Sequence, residues 1–365
     1  MITTQISKAG TSIWLDDLSR SKLVGTDAHS LPHRIQHDGV VGVTTNPSIF
    51  SSAISKGAEY RAAILAMKGK NVDEVVRNLT TDDVRAACDL FMPSFNASSG
   101  IDGRVSIEVD ARSARDTAAT IAEGKELWGI VDRPNTLIKV PATLEGLPAI
   151  TELISLGISV NVTLIFSVDR YMQVMDAFMS GLEKRLANGD EISSVESVAS
   201  FFVSRIDSAI DLLLKANGSP IATSLLGKAA IANARLAYQA FQSQLETSRW
   251  KKLEGHGARA QRPLWASTGV KDPAYEDTRY VLELVAPHTV NTMPQATLDA
   301  LIDHGQFNIG DIESTYEDSH SIFASLSGLG ISISAVTAEL EKDGVMKFAD
   351  AWKELLDNVS EVLTS

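Results

Sequence analysis

Val105-Ser-Ile-Glu-Val109, the stretch from Ala114 to Gly129, and Thr136-Leu-Ile-Lys-Val140 follow one another in the chain and decide its fold class. The two short apolar runs, rich in β-branched residues, have the character of buried strands, and the segment between them repeats its apolar positions at helical spacing. Together they make a strand-helix-strand unit, which places the two strands parallel in one sheet. The same alternation continues outward in both directions. Strand-like runs lie at Ile13 to Asp16, Val40 to Val43, Ile158 to Ile165, Val198 to Val203, Pro263 to Ser267 and His288 to Thr292, and helical stretches at Ser51 to Met67, Ser167 to Leu186, Ile206 to Lys215 and Leu225 to Leu245. Eight alternating units predict an α/β chain closed into a single (β/α)8 barrel. An open doubly wound sheet fits less well, because the first strand runs into Asp17, Leu18, Ser19 and Arg20 rather than into a glycine-rich GxGxxG turn. Past Thr292, helical pieces at Gln295 to His304, Ser332 to Glu341 and Met346 to Val362 exceed what the closing unit needs, and are expected to pack outside or across the barrel.

No Pro/Gly/Ser-rich linker or low-complexity tract divides the 365 residues, so residues 1–365 read as one domain carrying the barrel and its extra helices. With 33 Lys and Arg against 46 Asp and Glu, the net charge of −13 repels a phosphate backbone, so nucleic acid is not expected as a partner. The opening MITTQISKAG lacks the pattern of an export signal, and no run approaches about 18 uncharged apolar residues, so no membrane partner is expected. Cys88 is the only cysteine, which excludes an internal disulfide and a cysteine-built metal site, and a reducing cytoplasm is the expected location. His29, His33 and His37 recur at a spacing of four, but Pro32 interrupts the first interval and no HExxH accompanies them, so no metal site is assigned.

A strand covered on both faces should be almost continuously apolar, so the polar residues that interrupt these runs carry the information. They recur with a period of two. Lys139 shares a face with Leu137 against Ile138 and Val140; Asn161 and Thr163 oppose Val160, Val162 and Leu164; Ser106, Glu108 and Asp110 oppose Val105, Ile107 and Val109. Asp16 ends the first run and Ser267 the seventh. Each lies toward the C-terminal end of its strand, where a barrel of this kind carries its active site, so a lysine, two carboxylates, an amide and hydroxyls converge on one mouth. Local readings stand beside this one: Asp16 as a cap for the first helix, Glu108 as an ion-pair partner of Arg104 or Arg112, and Asn46 as the N-cap of a helix that Pro47 begins.

The strings VTTNPSIF, SIEVDAR, LIKVPAT and NVTLIFS, in this order and spacing, resemble the transaldolase family, and WLDDLSR, VASFFVSRID and PLWASTGVKDPAYEDTRYV are similar to its longer bacterial subfamily. The resemblance covers about residues 12 to 292. It implies a lysine Schiff-base transferase of the pentose phosphate pathway that moves a dihydroxyacetone unit from sedoheptulose 7-phosphate to glyceraldehyde 3-phosphate, giving erythrose 4-phosphate and fructose 6-phosphate, without a cofactor. Carried over residue by residue, Lys139 is the nucleophile, Asp16 the acid/base, and Glu108 with Thr163 the pair that holds a proton-shuttling water. Asn46 and Asn161 bind the dihydroxyacetone unit, Thr44 and Ser200 line its pocket, and Arg205 holds phosphate. The family's second basic residue, two positions beyond the strand-seven serine, is replaced by Gly269; Ser267 and Lys271 are the substitutes.

An attacking amine must be neutral, whereas an ordinary lysine, with a pKa of about 10.4, is almost wholly protonated at pH 7. Burial in an apolar strand favours the neutral form. Two other functions share these residues: a class I fructose-6-phosphate aldolase, which would release free dihydroxyacetone, and a non-catalytic sugar-phosphate-binding barrel. In the sibling aldolases the resemblance implies a Tyr three residues before the Arg; here that position is Phe202, which has no hydroxyl to hold a water.

Overall fold

The computed structural model describes residues 1–307, 310 and 312–365. Eight parallel strands, β1 (Thr11–Asp16), β2 (Val40–Thr44), β3 (Arg104–Glu108), β4 (Thr136–Pro141), β5 (Val160–Ile165), β6 (Ser197–Phe202), β7 (Arg262–Ala266) and β8 (Thr289–Met293), close in chain order, with β1 paired to both β2 and β8. The eight expected runs all form strands, with boundaries displaced by at most two residues. The chain is a (β/α)8 barrel. Among the described residues no single helix is long and apolar enough to cross a membrane.

Register carries the functional side chains to one level. Glu108 on β3 lies opposite Lys139 on β4, which lies opposite Asn161 on β5, and Asp16 on β1 lies opposite Thr44 on β2. Partners across a parallel pair point to the same side of the sheet, so these side chains share the barrel interior. Beneath them Trp14 is fully buried, and it fits only because its neighbour is Gly42: a Cβ there would lie 2.5 Å from the indole ring. At the opposite end of the barrel, Arg262 donates to Ser12 Oγ at 3.0 Å and to Asp102 Oδ1 at 3.1 Å, closing the interior with a polar layer remote from the mouth.

The helices depart from expectation in several places; Gly146–Ser155, Ser248–Gly255 and Tyr316–Gly328 are helices outside the expected stretches. The stretch Ser51 to Met67 is two helices, Pro47–Lys56 and Ala58–Ala66, broken at Gly57 in an extended conformation. Val72–Ala97, a 26-residue helix with Pro93 near its end, was not among the expected elements. The two C-terminal pieces are a single helix, Ile333–Thr364. Gly344, which weakens the helical signal locally, lies where that helix crosses the barrel, and a Cβ there would be 3.0 Å from Leu164 Cδ2. The helix packs on Pro47–Lys56, Val72–Ala97, Ser204–Asn217 and β5, across the C-terminal mouth.

Because Trp14 fills the space above Gly42, Gly42→Ala should lower stability by about 1–3 kcal/mol through overpacking, measured by urea unfolding. A change below about 0.5 kcal/mol would show that the indole is free to shift.

Candidate active site

Lys139 stands at the centre of the strand ends and is 4% exposed. Its Nζ donates to the Thr45 backbone carbonyl at 2.8 Å and lies 3.4 Å from Glu108 Oε2. The side chain is enclosed in the barrel interior, and the register with Glu108 places the amine beside the carboxylate. Glu108 is equally enclosed. Burial pushes its carboxyl up to about 7 against the pull of Lys139. Neither Glu108 oxygen accepts a conventional hydrogen bond from a protein donor, and the buried Thr163 hydroxyl also lacks a protein partner. A carboxylate and a hydroxyl left without hydrogen bonds in the same interior have capacity for a small polar molecule.

Asp16 keeps some exposure to the cavity, yet burial raises its carboxyl above the ordinary range while Lys139 and the Thr44 hydrogen bond act in the other direction. Thr44 Oγ1 donates to Asp16 Oδ1 at 2.6 Å and lies 2.7 Å from Thr292 Oγ1. Since a hydroxyl has one proton, Thr292 is the donor to Thr44. Thr292, missed at the level of sequence, is the last inward polar residue of its strand-like run, so the period-two rule applied to strand eight would have found it. Asp17 is engaged outside the site by Lys22. Asp16 is not a helix cap either: Ser19 is the N-cap residue of the short helix Arg20–Val24.

Ten of the twelve residues singled out from sequence line one cavity of about 130 Å³: Asp16, Thr44, Asn46, Lys139, Thr163, Ser200, Phe202, Arg205, Ser267 and Lys271. Two do not. Glu108 faces Lys139 but borders a neighbouring space beside Trp352. Asn161 lies deeper, its Nδ2 donating to Ser106 Oγ at 3.0 Å and its Oδ1 accepting from Ser200 Oγ at 2.7 Å, so its amide is engaged by the barrel. Asn46 serves its local role as well: its side-chain oxygen accepts from Ile49 N at 3.0 Å and caps the Pro47–Lys56 helix, which leaves the amide nitrogen for the cavity. The alternative partners of Glu108 are occupied elsewhere, Arg112 with Asp110 and Asp73, and Arg104 with backbone carbonyls.

At the far side of the cavity Arg205 lies 5.2 Å from the Phe202 ring, and one of its buried guanidinium nitrogens has no acceptor. Burial holds this guanidinium below its ordinary range, with Asp343 as the opposing charge. Ser267 follows β7 in a left-handed conformation, φ 55°, and is hydrogen-bonded through its side chain to Ser204 at 3.0 Å. Lys271 is exposed, and among the described residues it has no ion-pair partner. An unpaired arginine and a free lysine on one wall concentrate positive charge in a chain of negative net charge. His33 and His37 lie on one short helix with rings 4.5 Å apart, while His29 precedes that helix.

The family model for transaldolase/fructose-6-phosphate aldolase matches residues 13–359. The chain belongs to the transaldolase/fructose-6-phosphate aldolase family. It is 55% identical over 354 residues to a Mycolicibacterium smegmatis protein named transaldolase, covering 96% of this chain and 95% of that one. A Renibacterium salmoninarum transaldolase is 55% identical over 365 residues, covering 100% and 97%. Transaldolase 1 of Streptomyces avermitilis is 55% identical over 361 residues, covering 98% and 95%. The family match reaches beyond the barrel strands into the C-terminal helix, so that helix is part of the family's body rather than an appendage to it.

Glu108 loses its proton as pH rises through about 7, so a role in proton transfer predicts an inflection in the kcat/KM profile near that pH. Glu108→Gln should abolish the inflection and lower kcat/KM by about 10²-fold or more. An inflection retained at the same pH in the variant assigns it to another group.

Proposed function

We propose that the chain is a transaldolase acting on sugar phosphates, with sedoheptulose 7-phosphate as donor and glyceraldehyde 3-phosphate as acceptor. The observation that carries this reading is the enclosure of Lys139 Nζ beside Glu108, on the floor of a cavity that Asp16 and Arg205 also line. Lys139, as the neutral amine, attacks the ketose carbonyl; the carbinolamine takes up a proton and loses water to give an iminium. Asp16 accepts the proton of the neighbouring hydroxyl as the carbon-carbon bond breaks, and the bond's electrons move to the iminium nitrogen. The aldose phosphate departs and the dihydroxyacetone unit stays on Lys139 as an enamine. A second aldose phosphate, held by Arg205 with Ser267 and Lys271, is attacked by the enamine carbon, and hydrolysis of the new iminium returns the amine. Glu108 and Thr163 handle the water that leaves and returns, Asn46, Ser200 and Thr44 orient the hydroxyls, and Asn161 acts on them through Ser200.

The family's other named activity, aldol cleavage with release of the free three-carbon unit, requires protonation of the enamine. Phe202 weighs against it: the ring that β6 places beside Arg205 offers no hydroxyl to position a water. A non-catalytic binder gives no reason to enclose Lys139, Asp16 and Glu108 together, since each carries a desolvation cost.

Turnover of fructose 6-phosphate should require an added aldose phosphate such as erythrose 4-phosphate. Release of free dihydroxyacetone at a comparable rate without acceptor would favour the aldolase. Asp16→Ala should lower transfer by about 10²- to 10⁴-fold, and normal cleavage in that variant would show that the base lies elsewhere.

A further inference from the structure

The cavity above Lys139 is bounded on one side by a residue that does not belong to the barrel. Phe348, on the Ile333–Thr364 helix, is 6% exposed and lines the space together with Lys139, Asp16 and Arg205. Its helix is seated firmly. Gly344 packs on Leu164 and Phe166, and Glu341 lies 3.3 Å from Arg170. Phe166 in turn packs on Phe202, with ring centroids 5.1 Å apart. Phe202 from β6 and Phe348 from the crossing helix are therefore two aromatic walls of one small space.

We propose that Phe348 shields the lysine-bound enamine from water between the two halves of the transfer. The inference rests on the proposed transaldolase activity. An enamine open to solvent takes a proton on its nucleophilic carbon and becomes an iminium; water then adds, the carbon-nitrogen bond breaks, and free dihydroxyacetone and the Lys139 amine are regenerated. A transferase must keep this drain slow until the acceptor arrives, and excluding water from a reactive intermediate is how a closed site does so. In this arrangement Phe202 withholds a positioned proton donor and Phe348 withholds bulk solvent.

The test measures two rates on the full-length protein: release of free dihydroxyacetone from fructose 6-phosphate alone, read with an NADH-linked reductase, and transfer to erythrose 4-phosphate. Phe348→Ala should raise the ratio of release to transfer at least about tenfold. Phe348→Leu should give an intermediate ratio, and Phe348→Trp should keep the ratio near that of the parent, because bulk rather than aromaticity does the shielding. An unchanged ratio in both Phe348→Ala and Phe348→Leu, while the parent carries out transfer, overturns the shielding role and leaves the transferase reading intact. Should Phe348→Ala fail to fold, Phe348→Leu decides alone. If the parent protein shows no acceptor-dependent transfer, it is the underlying reading that fails.

Discussion

The structure turns on one lysine held among carboxylates in a place where water is scarce. Lys139, Glu108 and Asp16 form a cluster inside an apolar barrel, and every charge in it is costly to enclose. The Lys139 to Glu108 pair at 3.4 Å offsets part of that cost but leaves both carboxylate oxygens of Glu108 without a conventional hydrogen bond. A protein selected only for stability would fill the space with hydrocarbon. What the cluster provides instead is a buried amine beside acids whose burial raises their affinity for protons toward the range in which a proton can be both taken and returned.

The same logic of enclosure extends to the outer half of the cavity. Arg205 is held against Phe202 with a guanidinium nitrogen unpaired, and Lys271 stands free at the rim. Both are cations that the protein has not neutralised by close pairing, and under the proposed function they let a strongly acidic chain take an anionic substrate. The C-terminal helix completes the mouth, joining the Arg205 side and the lysine side under one cover through Asp343, Gly344 and Phe348.

The barrel and most of the site were legible because polar residues at a period of two stand out against apolar strands: Lys139 among Leu137, Ile138 and Val140, and Thr163 among Val162 and Leu164. What escaped was set by contacts between segments far apart in the chain. Phe348 is one apolar residue on an amphipathic helix, and nothing local separates a wall of the cavity from a core residue. Gly344 made one helix look like two pieces, because the helix tolerates a glycine only where Leu164 presses against it. Asn161 showed its inward direction but not that Ser106 and Ser200 already hold its amide. Which buried polar group is spoken for by its neighbours depends on the closed barrel, not on spacing along a strand.

The most direct measurement is covalent capture of the substrate. The protein incubated with fructose 6-phosphate is reduced with borohydride and digested, and the adduct is located by peptide mass mapping. The account predicts a dihydroxyacetone-derived mass gain on the peptide containing Lys139, and none in Lys139→Ala. An adduct on another lysine, or capture that persists unchanged in Lys139→Ala, would contradict it.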